Sequence, residues 1–293
     1  MIRPMKHLLI AATALTAIVA ASSAHAQTFA GGYLSADIGF TWAEGDENET
    51  FVFDRNLDGV FTDTVTTSVA APQGNAFVGY CEGLATNNAF GTLCAHDEDG
   101  GDLALRAGYD WDLGGFVIGV VGDISTAGGL NDFVSGYTTM GVSPTARADS
   151  YVMTREFKWM AAARVRAGYA IDRYLAYLTI GYAAADVEHT FATSNTLNTF
   201  TASGDDKNLS GVQYGVGAEV ALTDHVHFSL EYLMSNFDDE DYTVRASCAT
   251  GTCAIGATPN PFTLTPNTTG TDIRRSNTDF DIKQIRGSFS WRF

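Results

Sequence analysis

A stretch near residue 54 has the oxygen ligands and the spacing of a calcium-binding loop. The candidate ligands are Asp54, Asn56, Asp58, the backbone carbonyl of Val60, and Asp63. In a D-x-N-x-D-G series these oxygens surround the ion, and the glycine, here Gly59, permits the sharp turn. The twelfth position is Val65, where a bidentate Glu is expected, and Asp63 would have to substitute for it. The alternative is a solvated acidic loop held by Asx turns.

The segment around this motif is strongly acidic. Residues 44–99 contain eleven Asp and Glu residues against one basic residue, Arg55. Such a charge density could bridge through divalent cations to phosphate groups of a partner. The alternative is that these acids only keep an exposed surface solvated.

The histidines give little support to catalysis. Beyond the first 26 residues they are His96, His189, His225 and His227. His189 lies beside Glu188, but no serine is placed by a motif where this histidine could activate it, so a His-Ser-acid arrangement is unsupported. We predict no catalytic residues and no enzymatic activity.

The four cysteines are predicted to form disulfides, because an oxidising compartment favours disulfides over a zinc site or free thiols. They are Cys81, Cys94, Cys248 and Cys253. Three pairings are open to four cysteines. We favour the two local ones, Cys81 with Cys94 and Cys248 with Cys253.

The amino-terminal segment predicts export. Arg3 and Lys6 precede an apolar stretch at 8–21, and Ala24-His25-Ala26 has the small-x-small pattern that signal peptidase recognises. We therefore predict a cleaved signal peptide at 1–26 and one membrane-embedded domain at 27–293. Beyond this segment the sequence has no long apolar run, so further residence in a membrane would require strands.

Eight segments alternate apolar and polar residues with the period of a β-strand. They are 33–42, 102–111, 116–125, 158–171, 174–186, 209–222, 226–237 and 280–293. In the last one Ile285, Gly287, Phe289, Trp291 and Phe293 share one face, and polar residues share the other. A helix at 159–171 is the main local alternative, but its apolar residues repeat every two positions.

The connections between these segments alternate in length. Those after the second, fourth and sixth strands are a few residues, whereas those at 44–101, 126–157, 187–208 and 238–279 are long. Short turns on one rim and long loops on the other are typical of outer-membrane barrels. The sequence therefore predicts an all-β, eight-stranded, up-and-down antiparallel transmembrane barrel, with both termini periplasmic and the long loops extracellular.

The polar faces of these strands carry balanced charge. The inward residues are Asp37, Arg106, Asp110, Asp123, Arg164, Arg166, Glu219, Glu231, Arg286 and Arg292. Side chains fill the interior of an eight-stranded barrel, so these ions are predicted to pair and close the lumen. A narrow or gated ion path is the alternative, because buried charges in membranes also mark pathways.

Six segments resemble a known family. They are 31–39, 106–111, 116–123, 164–183, parts of 215–232, and 291–293, and the most specific is RVRAGYAIDR at 164–173. These segments are similar to the alphaproteobacterial small outer-membrane β-barrel family, which is OmpA-like and opacity-porin-like. The resemblance covers about half of the mature chain. It implies the barrel fold and outer-membrane location, and it says little about activity.

The expected partners follow from that location. They are outer-membrane lipids, lipopolysaccharide and the barrel assembly machinery, for which a final strand containing Trp291 and ending in Phe293 resembles the recognised signal. A net charge of −17 makes nucleic acid a poor partner. We expect a structural, surface-exposed protein. The alternatives are a small porin or ion channel, and a loop-borne module that binds calcium, haem or a host ligand.

Overall fold

Alternating outward apolar and inward polar side chains build a set of long antiparallel strands that close on themselves. The computed structural model describes residues 29–44, 48–67, 74–91, 94–140, 147–204, 206–248, 260–263 and 269–293. The predicted signal peptide lies outside the described residues. Within this part of the chain, no helix is long and apolar enough to cross a membrane.

The strands of the described residues are as follows. In chain order they are β1 (Gly31–Ala43), β2 (Phe51–Asp54), β3 (Phe77–Glu82), β4 (Gly100–Asp112), β5 (Phe116–Gly128), β6 (Asn131–Met140), β7 (Arg147–Ile171), β8 (Tyr174–Thr193), β9 (Thr199–Ser203), β10 (Asp206–Ala221), β11 (Val226–Asp238), β12 (Thr243–Ser247), β13 (Thr271–Arg275) and β14 (Asp279–Arg292). One turn of 3-10 helix lies at Pro261–Thr263.

Eight of these strands form a closed barrel. Its order is β1-β4-β5-β7-β8-β10-β11-β14, and β14 pairs back onto β1. Every pairing is antiparallel. The eight predicted strands are thereby confirmed, and the helical alternative for 159–171 is wrong, because this segment pairs along its length with β5 and β8.

Tight turns join the barrel strands at one rim. Between β4 and β5 the carboxylate of Asp112 accepts hydrogen bonds from the backbone N–H groups of Gly114 and Gly115, at 2.9 and 2.8 Å. Both glycines have positive φ, at 81° and 95°, which a side chain would disfavour. Asp172 supplies the left-handed residue, at φ 51°, in the turn between β7 and β8. These short connections fix the antiparallel order of the strands.

The outer wall of the barrel is apolar. β5 alternates exposed and buried residues without a break over its 13 residues. On β1 the outward Leu34, Ile38 and Phe40 are exposed, as are Val165 on β7 and Ile180 on β8. Such a belt of exposed apolar side chains would be unstable in water, but it matches the hydrocarbon interior of a bilayer.

The connections at the other rim are structured. β7 begins 11 residues before the predicted 158, and β8 continues to Thr193. The two extensions pair with each other, the β7 extension also pairs with β6, and β6 pairs with β3. A second sheet, ordered β2-β13-β12-β9, packs against this first layer. We call these two layers the headpiece. The sequence predicts only long loops in this part of the chain.

The headpiece has its own apolar core. Its buried members include Phe51, Phe53, Phe77, Tyr151 and Phe262. The Phe77 ring lies near the centre, with the rings of Phe53, Tyr151 and Phe262 at centroid distances of 4.8, 5.3 and 6.1 Å. Aromatic packing of this density joins strands from all four long connections into one body.

The membrane belt predicts a position-dependent response to added charge. Val165 and Val60 are 54% and 53% exposed, but Val165 lies on the barrel wall and Val60 in the loop after β2. We expect Val165→Arg to lower the free energy of unfolding by about 2–4 kcal/mol, because the new charge would face hydrocarbon. The matched control, Val60→Arg, should change it by less than about 0.5 kcal/mol.

The measurement is denaturant unfolding of the protein in lipid vesicles, followed by its heat-modifiable mobility on a gel. Equal destabilisation by the two variants would contradict the assignment of the barrel wall to the bilayer.

Candidate functional site

The barrel interior holds the largest concentration of charged side chains in the described residues. All ten residues predicted to face inward are buried, with exposed fractions between 0% and 7%. A charge removed from water is tolerated only when it is paired and hydrogen-bonded. The geometry of the pairs therefore determines what the interior can do.

Two arginines and two carboxylates form a closed ring near the short-turn end. Arg166 lies 2.7 Å from Asp110 and 3.0 Å from Glu219. Arg292 lies 2.6 Å from Asp110 and 3.1 Å from Glu219. His227 has its Nδ1 atom 2.7 Å from Glu219. Four strands, β4, β7, β10 and β14, are joined across the lumen by this ring.

A second group lies farther toward the headpiece. Arg286 is 2.5 Å from Asp102 and 2.7 Å from Asp123, which Arg164 also contacts at 2.5 Å. Asp102 was absent from the predicted set. The sequence does indicate that Asp102 faces inward, because it lies four residues before the inward Arg106 on the same strand and so shares its face.

The remaining predicted ions connect to this group. Arg106 lies 3.0 Å from Asp37 and 2.5 Å from Glu231. Gln213 accepts a hydrogen bond from Arg164 at 2.5 Å, and Gln284 donates one to Asp102 at 3.1 Å. The structure thus brings all ten predicted residues into contact with a counter-ion and adds uncharged amides that the sequence reading missed.

Above these ions the interior becomes apolar, which corrects the expectation of a uniformly polar inward face. The layer contains Phe157, Met160, Val187, Leu209, Phe237, Phe280 and Ile282, with Ala127, Leu130, Ala162, Ala183 and Ala185. Phe280 and Ile282 belong to the last strand and are 1% and 0% exposed. They face inward because they lie four and two residues before the inward Gln284 on the same strand. The apolar core begins where the strand leaves the ion network. We call this set the apolar layer.

A smaller apolar cluster closes the opposite end of the interior. It contains Phe29, Val117, Leu175, Tyr177 and Ala221. The Phe29 ring is fully buried and meets the His227 ring edge to face at 5.3 Å. The charged part of the interior is therefore bounded on both sides by packed apolar side chains.

An ionic cluster lies between the apolar layer and the headpiece. Arg275 contacts Glu49 at 2.6 Å and Asp132 at 2.8 Å, and Arg155 contacts Asp239 at 2.7 Å. Glu49 is 6% exposed, so this loop acid is not one of the solvated residues that its acidic segment suggested. We call these residues the mouth cluster. They connect the barrel strands β7 and β11 to the headpiece.

Burial and neighbouring charges act in opposite directions on the acids of the mouth cluster. Burial favours the neutral form of Asp132, but Arg275 and Arg155 outweigh it and lower the pKa of this carboxyl. For the nearby Asp97, the neighbouring groups offset the effect of burial on the pKa less completely. Burial raises its pKa to about 6, and the hydrogen bond that its carboxylate accepts from the Phe133 N–H, at 2.8 Å, only partly opposes this rise.

The candidate calcium ligands form a turn that satisfies its own oxygens. The Asp54 carboxylate accepts backbone hydrogen bonds from Leu57 at 2.6 Å and Gly59 at 2.7 Å. Asp63 accepts one from the Arg55 N–H at 2.8 Å. Leu57 and Gly59 have positive φ values of 60° and 86°. Asn56, Asp58 and Val60 lie in the same turn, and the described residues contain no cluster of three or more His, Cys, Asp or Glu side chains that could hold a metal.

One disulfide lies in the first long connection. Cys81 and Cys94 are bonded, as predicted. Cys248 is also disulfide-bonded, and its predicted partner, Cys253, lies outside the described residues. At the other end of the molecule, the proposed assembly residues Trp291 and Phe293 are 55% and 73% exposed on the outer wall.

Comparison with known proteins places this geometry in context. The family model described as "Outer membrane protein beta-barrel domain" matches residues 11–250. A 22 kDa outer membrane protein of Rhizobium leguminosarum bv. viciae is 29% identical over 135 residues, which are 46% of this chain and 52% of that protein. A 31 kDa outer-membrane immunogenic protein of Brucella melitensis is 28% identical over 136 residues, 45% of this chain and 52% of that protein. This chain spans about half the length of these curated relatives.

A solved structure with a similar outline is the outer membrane protein OprG from Pseudomonas aeruginosa. The superposition has a TM-score of 0.47 and 11% sequence identity, and it covers 92% of this chain and 100% of that one.

The ion network predicts a large difference between two positions on the same strand. Arg286 is fully buried between two carboxylates, whereas Lys283 is partly exposed and paired with Glu44. We expect Arg286→Met to lower the free energy of unfolding by about 3–5 kcal/mol, because Asp102 and Asp123 lose their shared counter-ion. Lys283→Met should cost about 0–1 kcal/mol. Denaturant unfolding measures both, and similar costs would contradict the network.

Asp97 predicts a pH-dependent effect. Because the folded pKa of Asp97, about 6, lies above the usual aspartate value of 3.8, the folded state holds this proton more tightly, so the contribution of Asp97 to stability is lost as the pH rises from about 4 through 6. We expect Asp97→Asn to stabilise the protein at pH 8 and the gain to disappear below pH about 4. Unfolding curves across this pH range measure it, and a gain that persists at pH 4 would contradict the assignment.

Proposed function

This chain belongs to the outer membrane protein β-barrel domain family, and we propose that it is a non-conducting barrel that anchors a folded headpiece at the cell surface. The observation that carries the proposal is the filling of the interior. The apolar layer crosses the lumen above a network of buried ion pairs, and Phe157, Met160 and Phe280 within it are no more than 2% exposed.

An ion that crossed this barrel would have to displace both barriers. It would first break ion pairs whose members are buried, and separating a buried pair is costly because each ion is left without a counter-ion. It would then enter a layer of closely packed apolar side chains, where it would have to give up its hydration shell. Since an eight-stranded barrel has room for little more than its own side chains, this packing supports a closed lumen.

The arrangement of connections supports an orientation. Tight turns lie at one rim, and the headpiece lies at the other. In outer-membrane barrels short turns are periplasmic and long connections are extracellular. The proposal therefore places both termini in the periplasm and the headpiece outside the cell. The Cys81–Cys94 disulfide of the headpiece agrees with an oxidising environment.

The proposed partners are those of an anchored surface protein. The apolar wall would contact outer-membrane lipids, and the headpiece would lie next to lipopolysaccharide. Trp291 and Phe293, exposed at the end of β14, would be read by the barrel assembly machinery. The proposal includes no catalytic step. His189 is buried, and its Nε2 atom lies 2.8 Å from Asp239.

The closed lumen predicts the outcome of conductance measurements. We expect the folded protein to give no steady current in a planar bilayer, and Phe157→Ser combined with Phe280→Ser to produce openings, because these changes add space and polarity to the apolar layer. The control Phe40→Ser changes a side chain on the lipid-facing wall that is 71% exposed, and it should produce no openings. An unboiled gel verifies folding of each sample. Steady wild-type openings that change when Arg164 or Glu219 is neutralised would replace this proposal with a channel.

A further inference from the structure

A disulfide fastens the segment that follows β3 in the headpiece. β3 ends at Glu82 and β4 begins at Gly100. Between them, Cys94 is bonded to Cys81 of β3, so the segment leaves this strand and is tied back to it. We call residues 83–91 and 94–97 the flap.

The flap lies over a strip of side chains that would otherwise face water. Val134 of β6 belongs to the headpiece core, so Phe133, Ser135 and Tyr137 point to the opposite side of this layer. All three are nonetheless buried, with exposed fractions of 9%, 0% and 1%. We call these three residues the covered strip.

Contacts from the flap account for this burial. Ser135 Oγ donates a hydrogen bond to the Gly83 carbonyl oxygen at 2.7 Å and accepts one from the Ala85 N–H at 2.9 Å. The Tyr137 hydroxyl lies 3.5 Å from both Sγ atoms of the disulfide. The Phe90 ring of the flap lies 6.0 Å from the Tyr137 ring and is itself 51% exposed. These contacts are mostly polar and bury little apolar surface of the flap.

The covalent bond therefore contributes much of what holds the flap in place. Residues 86–91 are all exposed, and a segment with so little burial of its own has low local stability. A disulfide across a sequence separation of 13 residues disfavours the open state by roughly a hundredfold. Cys81 and Cys94 are both partly exposed, so a small thiol can reach their sulfur atoms.

We propose that the Cys81–Cys94 disulfide is a redox-sensitive switch, whose reduction releases the flap from β6 and exposes the covered strip. A thiolate of an external dithiol attacks one sulfur, forms a mixed disulfide and displaces the other cysteine as a thiolate. The second thiolate of the dithiol then displaces the first cysteine and closes the reagent's own disulfide. The two cysteines take up the two protons that the dithiol has lost, and oxidation reverses the change.

This assignment goes beyond the proposed anchoring function and is independent of whether the lumen conducts. It gives the headpiece two surfaces. In the oxidised protein the outer face of β6 is covered by polar, exposed residues, and in the reduced protein it presents Phe133 and Tyr137.

The test measures hydroxyl-radical labelling of Tyr137 by mass spectrometry, on the full folded chain in nonionic detergent. Tyr151 is the internal control, because it is also buried, at 0% exposure, but belongs to the headpiece core. One sample is oxidised, and a second is reduced with dithiothreitol, alkylated and freed of reagent. A third carries Cys81→Ser with Cys94→Ser, which removes the bond without a reductant. The matched control, Cys248→Ser with Cys253→Ser, removes the other two cysteines.

We expect labelling of Tyr137 to rise by roughly tenfold or more in the reduced protein and in the Cys81→Ser, Cys94→Ser variant, because the open flap is no longer restricted. Labelling of Tyr151 should change by less than about twofold in every sample, since the core does not depend on the flap. The Cys248→Ser, Cys253→Ser control should leave Tyr137 labelling within about twofold of the oxidised wild type. An unboiled gel checks that each sample is folded.

Three results would overturn the proposal. Protection of Tyr137 that persists in both the reduced protein and the Cys81→Ser, Cys94→Ser variant would mean that non-covalent contacts alone hold the flap. Equal rises at Tyr137 and Tyr151 would mean that the headpiece unfolds as a whole. An equal rise of Tyr137 labelling in the Cys248→Ser, Cys253→Ser control would assign the response to the other cysteines.

Discussion

The interior of this barrel is barely wider than its own side chains, and five guanidinium groups must each find a carboxylate inside it. Removing such charges from water is costly unless each one is paired. The pairs join strands that are not neighbours, as when Arg286 of β14 meets Asp123 of β5. A slip of one residue in any of these strands would turn the charged side chain toward lipid. The ion network therefore constrains the strand register of the whole barrel.

The headpiece depends on that register. β7 and β8 continue without interruption from the barrel into the upper layer, so their pairing in the membrane determines where Tyr151 and Phe191 are presented above it. The mouth cluster adds a second connection, because Arg155 donates hydrogen bonds to the backbone carbonyl oxygens of Asn277 and Asp279, at 2.7 and 3.1 Å, where β14 begins. Barrel and headpiece are thus mechanically continuous.

Charge is distributed differently in the two parts. Inside the barrel each buried arginine has a carboxylate partner, whereas the headpiece leaves acids such as Glu240 and Asp241 at its surface. The net charge of −17 is therefore carried mainly by solvent-facing residues. An acidic surface of this kind attracts cations.

The alternation of residue types by itself determined the barrel. Period two is a local property, so the eight strands, their outward faces and the ten inward ions could be predicted, and short turns such as Asp112–Gly115 ordered them. The disulfide Cys81–Cys94 could also be predicted, because its two cysteines are close together in the sequence. Asp102 shares a strand face with the inward Arg106, so its position could also have been predicted. What the sequence could not show were partners brought together from distant positions, because closure of the barrel and its stagger decide which inward residues meet.

The headpiece is the clearest case. β2 pairs with β13, although more than 200 residues separate Phe51 from Arg275, and four-residue and five-residue strands carry too little periodicity to be recognised. The burial of Glu49 beside Arg275 follows from that pairing. In the same way, Phe280 and Ile282 have inward parity, but only the closed barrel shows that apolar residues of β7, β8, β10 and β11 face them. Local alternation determined the strands, and tertiary closure decided which side chains fill the space between them.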